Sequence, residues 1–304
     1  MEKDLKQAIR RLAKEKNAII LAHNYQIPEV QDIADLTGDS LALSIQAAQT
    51  NADIIVFCGV HFMAETAAIL CPNKKVLLPV INAGCAMADM VTAEDLREFK
   101  ALHRGAPVVT YVNSSAEVKA ESYICCTSAN AVQVVKSLRC PEVIMTPDKN
   151  LAMWTQRHTD QKIHIWEGFC PIHDGLKPEE LQRLKEEHPK AVVIAHPECP
   201  PAILNMADVV RSTSGMLEFP AKSDAEEFII ATEVGLLYPL QRRYPNKRFY
   251  AASSRMVCEE MKKTGLQEVF DALLNERHQV TVPEEIRLSA LSAVERMLAV
   301  PRDN

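Results

Sequence analysis

No apolar stretch in this 304-residue chain reaches the roughly eighteen residues that a membrane-spanning helix needs. The richest region, Ala52 to Leu70, is broken by Asp53, His61 and Glu65, so a soluble protein with no membrane partner is expected. No run of Lys and Arg builds a basic face either, and the formal net charge is -6. Phosphate neutralisation needs such a face, so nucleic acid is not an expected partner. The nine cysteines form no local cluster motif and no Cys-x-x-Cys near the end of the chain. An odd number of thiols in a chain of this size reads as free thiols, metal ligands or redox groups rather than a disulfide framework.

What is present is a chain with 47% apolar residues, enough to bury a substantial core in two or three compact units. From Glu2 to Lys16 the apolar residues Leu5, Ala8, Ile9 and Leu12 fall at helical spacing among mixed charges. This pattern predicts a solvated amphipathic helix rather than a targeting segment, and a cytoplasmic location follows as an expectation.

A helix, a buried strand and a polar triplet then recur three times. The strand Ala18 to Ala22 ends on His23-Asn-Tyr25, Pro107 to Thr110 on Tyr111-Val-Asn113, and Ala191 to Ala195 on His196-Pro-Glu198. Each triplet lies fifteen residues before a hydroxyl residue, respectively Ser40, Ser128 and Thr213. Further strands are predicted at Asp53 to Phe57, Glu142 to Met145 and Glu227 to Ala231, and again at Val76 to Val80, Lys162 to Trp166 and Arg248 to Ala251. Each pass then delivers a cysteine, Cys85, Cys170 and Cys258, at separations of 85 and 88 residues.

A period this long predicts three α/β domains rather than a stacked array. The expected boundaries are 1–90, 91–176 and 177–304, the last including C-terminal helices that pack over a neighbouring unit. Each domain is expected to be a three-layer αβα sandwich with a mostly parallel sheet, the three arranged about a pseudo-threefold axis. Ligand groups gather beyond the carboxyl ends of such strands, which places the active site at the junction of the polar triplets.

One thiol per unit matches a 4Fe–4S cluster that keeps one iron free of protein ligands. Buried structural thiols are the alternative, as is a zinc site completed by a histidine such as His173. Cys58, Cys71, Cys140 and the pair Cys125 and Cys126 on a short strand have no counterparts across the repeats and read as packing residues, as does Cys199, which stays open as a site residue because it adjoins Glu198. Ser40, Ser128 and Thr213 could grip carboxylates or a phosphate at helix N-termini, or simply cap those helices. His23, His173, His196 and Glu198 are candidates for proton transfer, and Tyr25 and Tyr111 for orienting a substrate. Lys222 and Arg211 would add positive charge to a cavity that suits an anion.

The ordered motifs His23-Asn-Tyr25-Gln, Gly38-Asp-Ser40, Tyr111-Val-Asn113-Ser, Cys126-Thr-Ser128-Ala-Asn130, Cys170-Pro-Ile-His173, His196-Pro-Glu198-Cys-Pro200, Ser212-Thr-Ser-Gly-Met216 and Met256-Val-Cys258 resemble the quinolinate synthase family over nearly the whole chain. The resemblance implies a transferase of NAD biosynthesis that condenses iminoaspartate with dihydroxyacetone phosphate, releasing phosphate and two waters. It also implies functional coupling to the aspartate oxidase that supplies iminoaspartate. Cys85, Cys170 and Cys258 would hold a 4Fe–4S cluster whose open iron acts as a Lewis acid. By the same resemblance Tyr25, Glu198, His23 and His196 would handle protons, and Tyr111 and Asn113 would hold substrate. Ser40, Ser128 and Thr213 would bind its anionic groups, with Ser212, His173 and Lys222 nearby.

Overall fold

The structure is a computed structural model, and it describes residues 2–303. Short apolar runs rich in Val and Ile build three four-stranded parallel sheets. The first contains β1 (Ala18–His23), β2 (Leu36–Gly38), β3 (Ile54–Cys58) and β4 (Lys75–Leu77). The second contains β5 (Val108–Tyr111), β6 (Ile124–Cys126), β7 (Glu142–Thr146) and β8 (Lys162–Ile165). The third contains β9 (Val192–Ala195), β10 (Val209–Val210), β11 (Glu227–Ala231) and β12 (Arg248–Ala251).

Strand order is the same in all three sheets, the second strand at one edge, then the first, third and fourth. In each, the chain reverses its direction of travel across the sheet between the first and third strands. That switch leaves a crevice beyond the carboxyl ends of β1, β5 and β9, where the polar triplets begin. The strands are nearly continuous apolar runs because helices cover both faces of a parallel sheet; every residue of β3 and of β5 is buried.

The helices follow their local signals. In Pro178–Glu187 a proline occupies the first turn and Glu180 accepts from the Lys177 amide at 3.3 Å. In Ala93–Leu102 the Thr92 side chain accepts from the Asp95 amide at 3.1 Å. Helix Leu266–Asn275 packs on Glu2–Glu15 and β3, within the first unit's surroundings. Helix Glu284–Leu298 buries Ala290, Ala293, Val294 and Met297 against Ala116–Ala120 and β6, while also touching His61–Leu70. It therefore bridges the first unit and the second. No helix among the described residues is long and apolar enough to cross a membrane.

Two expectations from the sequence need correction. Each sheet has a fourth strand, β2, β6 or β10; Cys125 and Cys126 read as a short strand in the sequence, but β2 and β10, of three and two residues, are too short to show any period. β4 ends at Leu77 rather than Val80, because the chain there bonds to the returning segment: the Leu78 amide donates to His278 O at 3.1 Å and the Val280 amide to Val76 O at 2.9 Å.

Glu276 fastens this returning segment to the first sheet. It takes Lys16 at 2.6 Å and also pairs with Lys75, and hydrogen bonds and charge from the two lysines lower its carboxyl to about 2. A depressed carboxyl stabilises the fold fully above its ordinary value of 4.5 and loses that contribution as pH falls through about 2. Glu276→Gln is therefore expected to melt below the native protein at pH 7, with the gap closing between pH 4.5 and 2. A melting difference independent of pH, measured by circular dichroism, would contradict this pairing.

Candidate active site

A small cavity of about 80 Å³ lies where the three sheets meet. Its wall includes His23, Tyr25 and Ser40 from the first unit, Tyr111, Asn113 and Ser128 from the second, and His196, Glu198 and Thr213 from the third. His173 and the cysteines Cys85, Cys170 and Cys258 line it as well. Ser212 and Lys222 do not; they line a wider cavity of about 750 Å³ outside, which shares Ser128 with the inner one. Ser212 is instead a helix cap, accepting from the Gly215 amide at 3.4 Å.

The capping pattern explains why the three hydroxyls are free to face the cavity. Helix Ser40–Gln49 is capped by Asp39, whose carboxylate accepts from the Ala42 amide at 2.9 Å. Helix Thr213–Glu218 is capped by Ser212, and Asn130 occupies the cap position of Ala131–Ser137. Ser40, Ser128 and Thr213 are thus not the caps themselves. Asn113 adds a buried Oδ1 that has no partner among the described residues, an acceptor ready for a ligand donor.

Two of the polar triplets share one local device. The Tyr25 amide donates to His23 Nδ1 at 3.2 Å, and the Glu198 amide donates to His196 Nδ1 at 3.3 Å. An amide can only donate, so Nδ1 is the acceptor in both rings and the proton sits on Nε2. His196 Nε2–H then points to Ser128 Oγ at 3.1 Å. Burial pushes His23 down to about 4 and His196 down to about 3, so both rings are neutral near pH 7.

Glu198 is the charged centre of the site, only 4% exposed. Burial alone would raise its carboxyl, but His173 at 2.7 Å from Oε2 and the Tyr111 hydroxyl at 2.6 Å from Oε1 hold it well below the ordinary carboxylate range. His173 reaches further: its Nε2 meets Thr232 Oγ1 at 2.8 Å, and Thr232 Oγ1 meets the Tyr25 hydroxyl at 2.5 Å. With Nδ1–H given to Glu198, Nε2 accepts from Thr232, and Thr232 in turn accepts from Tyr25. Burial, then the Glu198 charge, pushes the Tyr25 and Tyr111 hydroxyls up, so both remain protonated donors. One hydrogen-bond chain thereby joins all three units.

Sequence reasoning missed Thr232, Asp39 and Glu233. Thr232 and Glu233 directly follow β11, a strand-end position like those of the triplets, and that was the available signal. Glu233 accepts from the Cys258 amide at 3.2 Å and pairs with Lys262 at 2.8 Å.

The cofactor expectation is corrected by the donor geometry. One group among the described residues has ligand atoms all within 4.8 Å of one another, and it consists of Cys170, His173 and Glu198. It offers a single thiolate, not three cysteine ligands, and a sulfur, nitrogen and oxygen set is what one borderline divalent ion takes. Cys85 and Cys258 line the cavity outside this group. Burial pushes the Cys85 thiol up to about 12 and raises those of Cys170 and Cys258.

The family model described as quinolinate synthetase A protein, NadA, matches residues 7–299. The chain belongs to the quinolinate synthase family. It is 57% identical over 302 residues to a quinolinate synthase of Geobacter sp. (strain M21), covering 99% of each chain. The quinolinate synthase of Geobacter metallireducens is 58% identical over 299 residues, covering 98% of each. That of the archaeon Methanoregula boonei is 55% identical over 296 residues, covering 97% of this chain and 98% of its own. The chain is accordingly an enzyme, a transferase of the quinolinate synthase family with three parallel-sheet α/β units.

Thr232 offers the sharpest test of the hydrogen-bond chain, because it was invisible in the motifs yet links Tyr25 to His173. Thr232→Val keeps the shape and removes the hydroxyl. It removes both buried hydrogen bonds of that hydroxyl, with Tyr25 and with His173, and leaves their polar atoms unpaired, so kcat should fall at least about tenfold and the melting temperature should fall with it. Unchanged turnover would show that the link is not used.

Proposed function

We propose that this enzyme condenses iminoaspartate with dihydroxyacetone phosphate to form quinolinate, releasing phosphate and two waters, as a step of NAD biosynthesis. The equation balances without a net oxidant or reductant. Support comes from the quinolinate synthases it matches along nearly all of its length and from the chemistry of the inner cavity. The observation that carries the reading is the meeting of three hydroxyls, two neutral imidazoles and the ionised Glu198 carboxylate in a buried site. Both substrates are anionic, and the product keeps two carboxylates.

In this reading Ser40, Ser128 and Thr213 donate to the substrate carboxylates, and Asn113 Oδ1 accepts from its nitrogen. His23 and His196 act as neutral donors. A neutral imidazole that presents Nε2–H polarises a carbonyl without bringing a full charge into a dry cavity. Glu198 is too strongly held in its ionised form to be an efficient general base, since proton transfer works best near the operating pH. Its task is to orient Tyr111 and His173. Tyr25, a protonated hydroxyl tied through Thr232 to His173, is placed to donate a hydrogen bond to substrate oxygens as carbon–carbon bond formation, ring closure and dehydration proceed.

A metal ion, if bound, would be held by Cys170, His173 and Glu198 in place of the His173–Glu198 hydrogen bond, with the thiol and the imidazole deprotonated toward it, and would supply Lewis acidity toward substrate oxygens. The wider cavity, with Lys136, Arg211 and Lys222 on its wall, offers anionic substrates a favourable approach, and we assign Lys222 and Ser212 to that approach rather than to the inner site. Functional coupling to an aspartate oxidase follows from the lability of iminoaspartate, which must be used close to where it forms.

The test is an anaerobic assay with iminoaspartate, generated in place from oxaloacetate and ammonia, and dihydroxyacetone phosphate. Quinolinate and phosphate should appear in equal amounts, resolved by chromatography and a phosphate assay. Phosphate release without quinolinate, or no reaction by anaerobically prepared protein, would overturn the assignment.

A further inference from the structure

The segment that follows helix Glu284–Leu298 passes along the wall between the two cavities. There Arg302 makes a bidentate pair with Asp39, at 2.6 Å and 3.0 Å. Asp39 is 5% exposed and caps the helix that begins at Ser40, and after Arg302 and the Ala42 amide the nearby Ser214 of the third unit helps to hold its carboxyl below the ordinary range. The next residue, Asp303, binds the second unit. Its amide donates to Ala129 O at 2.6 Å, and its carboxylate accepts from the Val132 and Gln133 amides at 3.2 Å and 3.0 Å. Asn130 secures the same turn by donating to Met297 O and Val300 O at 3.2 Å and 3.3 Å.

Three points of this web are chain neighbours of the cavity hydroxyls. Asp39 precedes Ser40, Ala129 follows Ser128, and Ser214 follows Thr213. The three hydroxyls come from three separate units, so their mutual spacing is not fixed by any one sheet. Arg302 and Asp303 link two of these units directly: one holds the first unit's anchor, Asp39, whose charge Ser214 of the third unit also favours, and the other holds the second unit's.

We propose that Arg302 and Asp303 are positioning residues, which set the spacing of Ser40, Ser128 and Thr213 and so the affinity of the cavity for a dicarboxylate. The inference rests on the reading of those hydroxyls given above. Neither residue touches the inner cavity. They act through Asp39 and Ala129. A guanidinium fork fixes both oxygens of Asp39, which a lysine's single ammonium does not, so Arg302→Lys should restore function only in part.

The experiment compares the native protein, Arg302→Gln, Arg302→Lys and the double variant Asp39→Asn with Arg302→Gln. The readouts are the Kd for quinolinate by titration calorimetry, KM and kcat, and the melting temperature. Arg302→Gln should raise Kd and KM by about tenfold while kcat changes less than about twofold, with Arg302→Lys between it and the native protein. The single Gln variant also leaves Asp39 charged, buried and unpaired, which lowers stability by itself. The double variant removes that charge, so it should recover the melting temperature while its Kd stays raised.

Recovery of Kd together with melting temperature would reduce Arg302 to charge compensation and overturn the proposal, as would a native Kd in Arg302→Gln. If the native protein neither binds quinolinate nor makes it, the reading of the hydroxyls falls first. If it does both and the Arg302 variants match it, only the positioning role falls.

Discussion

The hydrogen bond from His173 to the Glu198 carboxylate, at 2.7 Å, is the interaction on which the rest of the site depends. A carboxylate taken out of water is costly unless partners replace its hydration. Glu198 has them on every side: His173 and Tyr111 at the carboxylate, His196 Nδ1 at its amide, and Asn150 Nδ2 at its carbonyl at 3.0 Å. Three of these come from the second unit's part of the chain or its link to the third. The second and third units are therefore locked together where the chemistry is placed. Through Thr232 the same pair reaches Tyr25, and the first unit is drawn in.

A consequence is that the cavity keeps carboxylates of its own, Glu198, Asp39 and Glu233, while binding anions. That is workable because each has its own donors: Glu198 takes His173 and Tyr111, Asp39 takes Arg302 and the Ala42 amide, and Glu233 takes Lys262 and the Cys258 amide. The remaining groups facing a ligand are neutral donors: Nε2–H of His23 and His196, and hydroxyls of Ser40, Ser128 and Thr213. Burial keeps the two imidazoles neutral, and the amide two residues on fixes their tautomer. The polar triplet after a strand is thus more than a place to put a histidine. Its backbone decides which ring nitrogen points inward.

Much of this was legible in the sequence, for reasons that differ by residue. The long strands showed as apolar runs, and the threefold spacing of Tyr25, Asn113 and Glu198 from the hydroxyls survived because each parallel unit repeats one crossover. The edge strands β2 and β10 did not show, being too short for a pattern. The hydroxyls looked like caps; in fact Asp39 and Ser212, each one residue earlier, do the capping at two of the three helices. Thr232 and Arg302 were hidden for another reason. Each acts across units distant in sequence, 207 residues from Tyr25 and 263 from Asp39, and no local period carries such contacts. The cysteine spacing suggested a ligand set of three thiols, whereas the compact donor group draws on one thiol, an imidazole and a carboxylate.

The most direct measurement is a crystal structure of the anaerobically prepared enzyme with quinolinate bound. The account predicts its carboxylates within hydrogen-bond distance, about 3 Å, of the Ser40, Ser128 and Thr213 hydroxyls, with Glu198 still joined to His173 and Tyr111. Carboxylates seated in the outer cavity on Lys136 and Lys222, with those three hydroxyls untouched, would contradict it.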